Sequence, residues 1–275
     1  MNKSPKIKLS NSSLEQISTF ASDYVETTVF TKYPNLKNET TVVITGSVAK
    51  KQWDDSSDID INFIFPKETL SRLGNELKEY KKGLSDNYPQ IQSFFKDTYE
   101  DLETLLDWED DLRLGEFSVA IILHDPKNWF KEFQSKISWY PEEILREKIN
   151  WLFAETVFEL EDRLKVAIKR KNEYFLEVVK LRLIRLIANT FLLLANNYPP
   201  GDKQLWKIFQ NHDNVPVEIK KILEKSLNEQ NENEILKLLE EAKKLTESML
   251  ISKNLITKNP IDYWIKLRPK YQVKI

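Results

Sequence analysis

The chain of 275 residues carries 41 Lys and Arg against 43 Asp and Glu, a formal net charge of −2 that offers no global basic field to nucleic acid or an anionic membrane. With 41% hydrophobic and 31% charged residues it has apolar material for one large or two modest cores, without the charge excess of a disordered chain. The lack of cysteine excludes disulfides, thiolate catalysis and cysteine-ligated zinc, and His124 and His212 lack the close spacing of a histidine metal site.

In chain order, Met1 to Ser10 lacks the apolar core of a signal peptide. Apolar runs such as Phe191 to Ala195 fall far below the roughly 20 residues that span a bilayer. A cytoplasmic protein without a membrane partner is expected. Ser13 and Gln16 have capping-box spacing and open a predicted helix through Ile17, Phe20, Tyr24 and Phe30 towards Tyr33-Pro34. Thr41 to Thr45 is a β-branched run read as a buried strand that stops at Gly46. Asp58 to Phe65 alternates strictly, with Asp58, Asp60, Asn62 and Ile64 on one face and Ile59, Ile61, Phe63 and Phe65 on the other. Helices are predicted over Lys67 to Lys82 and Asp86 to Trp108, the second with a break near Tyr88-Pro89. A strand is predicted over Arg113 to Leu123, and a short helix over Asn128 to Lys136.

From Pro141 the pattern is helical, with Leu145, Ile149, Leu152, Phe153, Leu160 and Leu164 at three- and four-residue intervals. Tyr174 to Asn197 reads as a long helix ended by Tyr198-Pro199-Pro200-Gly201, after which Asp202 is placed to cap another through Phe209. Pro216 to Asn228 and Asn233 to Ser252 complete the set, joined by the polar stretch Asn228 to Asn233; Trp264 to Tyr271 is basic and aromatic. The expected fold class is α+β: a small mixed β-sheet domain backed by helices over 1–138, then a helical bundle over 139–275, with the functional cleft between them.

Chemistry concentrates in Val43-Ile44-Thr45-Gly46-Ser47-Val48-Ala49-Lys50 and Ser57-Asp58-Ile59-Asp60-Ile61. A strand delivers Gly46-Ser47 into a turn, where a missing side chain and a hydroxyl suit contact with a triphosphate. A second strand presents Asp58 and Asp60, two residues apart and therefore on one face, a pair of like charges that calls for a cation such as Mg2+. Phosphoryl transfer from a nucleoside triphosphate needs this combination, because metal ions neutralise the triphosphate and stabilise the leaving pyrophosphate.

Gly-Ser, the ten residues Val48 to Ser57, then Asp-apolar-Asp-apolar resembles the signature of the polymerase β-like nucleotidyltransferase superfamily, particularly its small antibiotic-modifying members and their uncharacterised relatives. The resemblance is close over Val43 to Ile61, loose to about Asp125 and architectural beyond. It implies ATP as the default donor, Mg2+, and a third carboxylate from a later strand. Glu116 is the candidate, as metal ligand or general base, because it lies opposite the large apolar residues of the strand expected over Arg113 to Leu123; Asp107, Glu109, Asp110 and Asp111 compete with it. Many relatives follow the Gly-Ser turn with a basic residue and a glycine, whereas this chain has Lys50-Lys51-Gln52. Lys50 is the candidate for a β- or γ-phosphate contact, against the alternative of a solvated lysine.

On the long helix, Arg182, Arg185, Asn189 and Asn196 share a stripe among apolar neighbours, so the arginines meet either a nucleotide phosphate or, in an interdomain salt bridge, carboxylates such as Glu155 or Glu159. Lys203 is a further nucleotide candidate, or an exposed lysine. The expected reaction is magnesium-dependent transfer of AMP from ATP to a hydroxyl of a small-molecule acceptor such as an aminoglycoside or lincosamide antibiotic. The acidic clusters from Glu100 to Asp111 suit a polycationic drug, or are a solvated face. Transfer to a protein or an RNA end, in a toxin or antitoxin setting, and a non-catalytic nucleotide-binding module are the alternatives. The near-neutral composition disfavours RNA.

Overall fold

The computed structural model describes residues 7–73, 88, 90–256 and 265. The part beyond Leu73 of the helix expected over Lys67 to Lys82, the start of the one expected from Asp86, the break at Pro89, the first six residues and, apart from Ile265, the Trp264 to Tyr271 segment lie outside the described residues. The chain divides into two compact units, Met1–Trp139 and Tyr140–Ile275.

The first unit opens with α1, Leu14–Tyr24, held at its start by the expected capping box: Ser13 Oγ accepts from Gln16 N at 3.2 Å and Gln16 Oε1 accepts from Ser13 N at 2.8 Å. The helix widens into a π-type turn over Val25–Phe30. Strand β1 is Thr41–Thr45, the one-turn helix α2 is Gly46–Ala49 and β2 is Ile59–Phe65. Residues 67–73 form the described part of α3. Then follow β3, Ile91–Thr98; α4, Tyr99–Glu103; α5, Asp111–Phe117; β4, Ile121–His124; and α6, Trp129–Lys136.

The four strands form one mixed sheet in the order β3-β2-β1-β4, with β1 antiparallel to both β2 and β4, and β3 parallel to β2. Val42, Ile44, Ile59, Ile61, Phe63 and Phe65 form a core with Ile17, Ala21 and Tyr24 of α1. Burying such side chains contributes about 1.5–3 kcal/mol each, which fixes the sheet face that α1 covers and so commits Asp60 to the other.

Two expected elements are corrected. Part of the segment expected to be helical from Asp86 to Trp108 is strand β3. Its alternation is broken by a bulge: Asn62 pairs with Phe94 and Ile64 with Asp97, so Phe95 and Lys96 together oppose Phe63. One core-facing position is also polar, since buried Ser93 shares a 2.7 Å hydrogen bond with the hydroxyl of buried Tyr24. The strand expected over Arg113 to Leu123 is instead the end of a helix, a turn and the short β4. Asp110 caps α5 by accepting from Arg113 N at 3.0 Å, and Leu114 and Phe117, three apart, are its buried pair, while Val119 is 45% exposed.

The second unit contains α7, Glu142–Phe158, which runs through a π-type turn at Glu159–Leu164 into α8, Lys165–Lys169. Helix α9 is Glu173–Leu194, α10 Asp202–Asn211, α11 Val217–Asn228 and α12 Glu232–Ser252. Asp202 is the first residue of α10, and Gly201 occupies the cap position expected for it. Leu183, Ile187 and Phe191 of α9 share a core with Ile219 and Leu223 of α11 and Ile235 and Leu239 of α12. Among the described residues no helix is long and apolar enough to cross a membrane.

Candidate active site

The site is built where β1 ends and β2 begins. Antiparallel pairing sets Thr45 beside Asp60, so the turn leaving β1 runs next to the carboxylate entering β2. Gly46 takes φ +68°, and a Cβ there would lie 2.0 Å from Asp60 Oδ2 and 3.0 Å from its Cγ. Only glycine accepts both the left-handed backbone and this approach. Asn62, two residues along the same face, donates from Nδ2 to Thr45 Oγ1 at 2.6 Å and ties β2 to the strand carrying the turn.

Asp58 stands just ahead of β2, at the end of a loop with its own ties. The Trp53 indole donates to Leu9 O at 2.9 Å, and Asp54 Oδ1 accepts from Ser56 N at 2.9 Å and Ser57 Oγ at 3.2 Å. Lys50 is half-buried at the end of α2, and Lys51 is exposed at φ +56°. A left-handed step is made at Lys51, at a cost of about 1 kcal/mol.

Parallel pairing sets Gln92 of β3 on the other side of Asp60, and Gln92 Nε2 donates to Asp58 Oδ2. The sequence reading missed Gln92 because it missed β3. The chain therefore presents Gly46, Ser47, Asp58 and Asp60 together, with a neutral amide as their neighbour on β3.

The element expected to carry Glu116 is corrected. The residue lies on α5, not on a strand opposite apolar residues. That helix is tied by a 2.9 Å ion pair from Arg113 Nη2 to Asp97 Oδ1, five residues along β3 from Gln92, roughly 16 Å at strand spacing. Burial raises the Asp97 carboxyl above its ordinary pKa against the opposing pull of Arg113. Among the described residues, no three or more His, Cys, Asp or Glu side chains are grouped to hold a metal ion. The donor chemistry of Asp58 and Asp60 fits magnesium, since carboxylate oxygens are the hard donors that ion takes.

In the second unit Arg182 is engaged by carboxylates. Its Nη2 donates to Glu155 Oε2 at 3.1 Å, and its Nε lies 3.1 Å from Glu159 Oε1, within ion-pair distance but out of line for a hydrogen bond. Glu155 and Glu159 are the two carboxylates weighed for it from sequence, and both belong to this unit. Arg163 also pairs with Glu159, at 3.0 Å. Burial nevertheless raises the Glu159 pKa, with Arg182 and then Arg163 pulling it down. Arg185 faces Asp202 at 3.6 Å with both side chains largely exposed, and Lys203 is exposed at the start of α10. Val178, Leu181, Ile184, Leu205 and Trp206 line a groove of about 550 Å³ beside these arginines.

A mixed sheet that brings a Gly-Ser turn against an Asp-x-Asp strand, followed by a helical region, is a nucleotidyltransferase-like fold. A solved nucleotidyltransferase-like protein from Exiguobacterium sibiricum 255-15 is similar to this chain in fold, with a TM-score of 0.50 and 14% identity over 91% of this chain and 80% of that one. Residues 110–206 match a family described as a domain of unknown function, DUF4037. That match runs from the cap of α5 into α10 and excludes Gly46, Asp58 and Asp60, so it bears on architecture rather than on the site. No curated protein matches the chain.

Proposed function

We propose that the chain is a magnesium-dependent nucleotidyltransferase that moves AMP from ATP to a hydroxyl of a small-molecule acceptor, such as an aminoglycoside or lincosamide antibiotic. The observation that carries the reading is the approach of the Gly46 turn to Asp60, which is possible only because position 46 has no side chain. Asp58 and Asp60 hold magnesium, Gly46 and Ser47 seat the triphosphate, and Lys50 reaches the β- or γ-phosphate. Bound magnesium supplies neutralisation of the triphosphate and of the leaving pyrophosphate. The acceptor oxygen bonds to the α-phosphorus, the bond from that phosphorus to the bridging oxygen of the β-phosphate breaks with its electron pair leaving on pyrophosphate, and the hydroxyl proton passes to solvent water. The acidic run Glu100, Asp101, Glu103, Asp107, Glu109, Asp110 and Asp111 favours a cationic acceptor.

A second reading, nucleotide binding without transfer, is favoured by the neutral Gln92 beside the pair. Incubation with magnesium and ATP labelled at the α-phosphate, with an antibiotic panel or cell extract in separate reactions, decides between them. Label on a small molecule supports the proposal, and label on protein or RNA reassigns the acceptor. Binding of ATP with no transferred label supports the second reading.

A further inference from the structure

The polar end of the sheet is a row of three residues on three neighbouring strands: Thr45, Asp60 and Gln92, joined by antiparallel pairing on one side and parallel pairing on the other. Paired residues of a pleated sheet point to the same face, so Gln92 shares the face of Asp60. Its amide donates to Asp58 Oδ2 and so occupies one oxygen of the pair. Two divalent cations about 3.5–4 Å apart repel strongly and are held by carboxylates that bridge and flank them. Here two carboxylates supply the protein's negative charge, and among the described residues no third joins them. The neighbour adds a dipole and no charge.

We propose that Gln92 makes this a one-cation site, in which Asp58 and Asp60 hold a single divalent ion together with the nucleoside triphosphate. The inference rests on the nucleotide-binding reading above and adds the number of ions and the residue that sets it. Gln92 acts as a positioning residue: it orients Asp58 through its amide and withholds the charge that a second ion needs. Replacing the amide by a carboxylate of the same length removes the donor and supplies that charge in one step.

The test counts manganese(II) by the loss of its free electron paramagnetic resonance signal. The full chain is mixed with an equimolar ATP analogue carrying a methylene between the α- and β-phosphorus atoms, and the analogue alone is the reference. The wild type takes up one manganese ion per complex, Gln92→Glu takes up two, and the neutral Gln92→Met keeps one. Two ions in the wild type, or one in a folded Gln92→Glu, overturns the proposal. Should Gln92→Glu fail to fold, the wild-type count still decides, and Gln92→Asp repeats the gain. If calorimetry detects no binding of the analogue to the wild type with manganese present, the nucleotide reading falls, and the one-cation proposal with it.

Discussion

Replacing Gly46 by alanine tests the geometry on which the site depends. At φ +68° a Cβ meets the following carbonyl, a strain of about 1–2 kcal/mol. The same Cβ would stand 2.0 Å from Asp60 Oδ2, where non-bonded atoms settle at roughly 3.5 Å, so the carboxylate must withdraw by about 1.5 Å. Asp60 answers by turning its short side chain, which moves the oxygens while β2 stays in register. Stability falls by about 1–3 kcal/mol, read as a lower urea midpoint. Magnesium-dependent ATP affinity or transfer falls about 100-fold, the scale associated with a misplacement of about 1 Å at a reacting centre. Gly201→Ala is the control, since Gly201 has φ −61°, a backbone that alanine adopts freely. A folded Gly46→Ala protein that binds magnesium and ATP as the wild type does would refute the claim that this approach shapes the site.

Asp60→Asn keeps the side-chain shape and removes one negative charge; magnesium-dependent nucleotide binding by calorimetry should be lost, and retention would take Asp60 out of the site. Arg182→Ala leaves Glu155 and Glu159 buried with a partner removed and should cost about 3 kcal/mol in urea unfolding, the low end for a broken buried pair because Arg163 still serves Glu159. A change below about 0.5 kcal/mol would show the pairing to be idle. Glu159 has a folded pKa raised above its ordinary 4.5, so its protonated form favours the folded state. Its contribution is present below pH 4.5 and is lost as pH rises through the raised value. Glu159→Gln should therefore flatten the fall of the urea midpoint with increasing pH from 4.5 upward, and an unchanged slope would contradict the direction of the shift. Ser93→Ala removes the 2.7 Å hydrogen bond to the buried Tyr24 hydroxyl and should cost about 1 kcal/mol in unfolding free energy; a neutral result would show that this bond adds nothing to stability.

The half of the site carried by local pattern was legible. Thr41 to Thr45 is β-branched throughout and Asp58 to Phe65 has a period of two, so these strands follow from period alone, with β2 beginning at Ile59, one residue after Asp58. Ser13 with Gln16 announced α1 for the same reason. What period could not reveal was β3, whose bulge disrupts the alternation and whose core-facing Ser93 is chosen to satisfy a tyrosine hydroxyl. Gln92 was lost with it. In Arg113 to Leu123 a false alternation arose from Phe117 at a helix end, exposed Val119 in a turn, and Ile121 and Leu123 in β4. Asp110 followed by Leu114 and Phe117 was the available signal: an N-cap residue and an i, i+3 pair. Arg182 illustrates a different limit, because sequence supplied its carboxylate partners but no criterion for preferring them to phosphate.

The bulge at Phe95 and Lys96 also divides β3 into two lengths that keep register independently. On one side Gln92 stays level with Asp60; on the other, Asp97 and Thr98 lead into α4 and the acidic run. A residue gained or lost after Lys96 is absorbed at this joint without turning Gln92 to the opposite face. The acidic segment can therefore diverge in length and charge while the strand end that carries Gln92 beside Asp60 stays fixed, a division that lets one part of the scaffold vary without displacing the other.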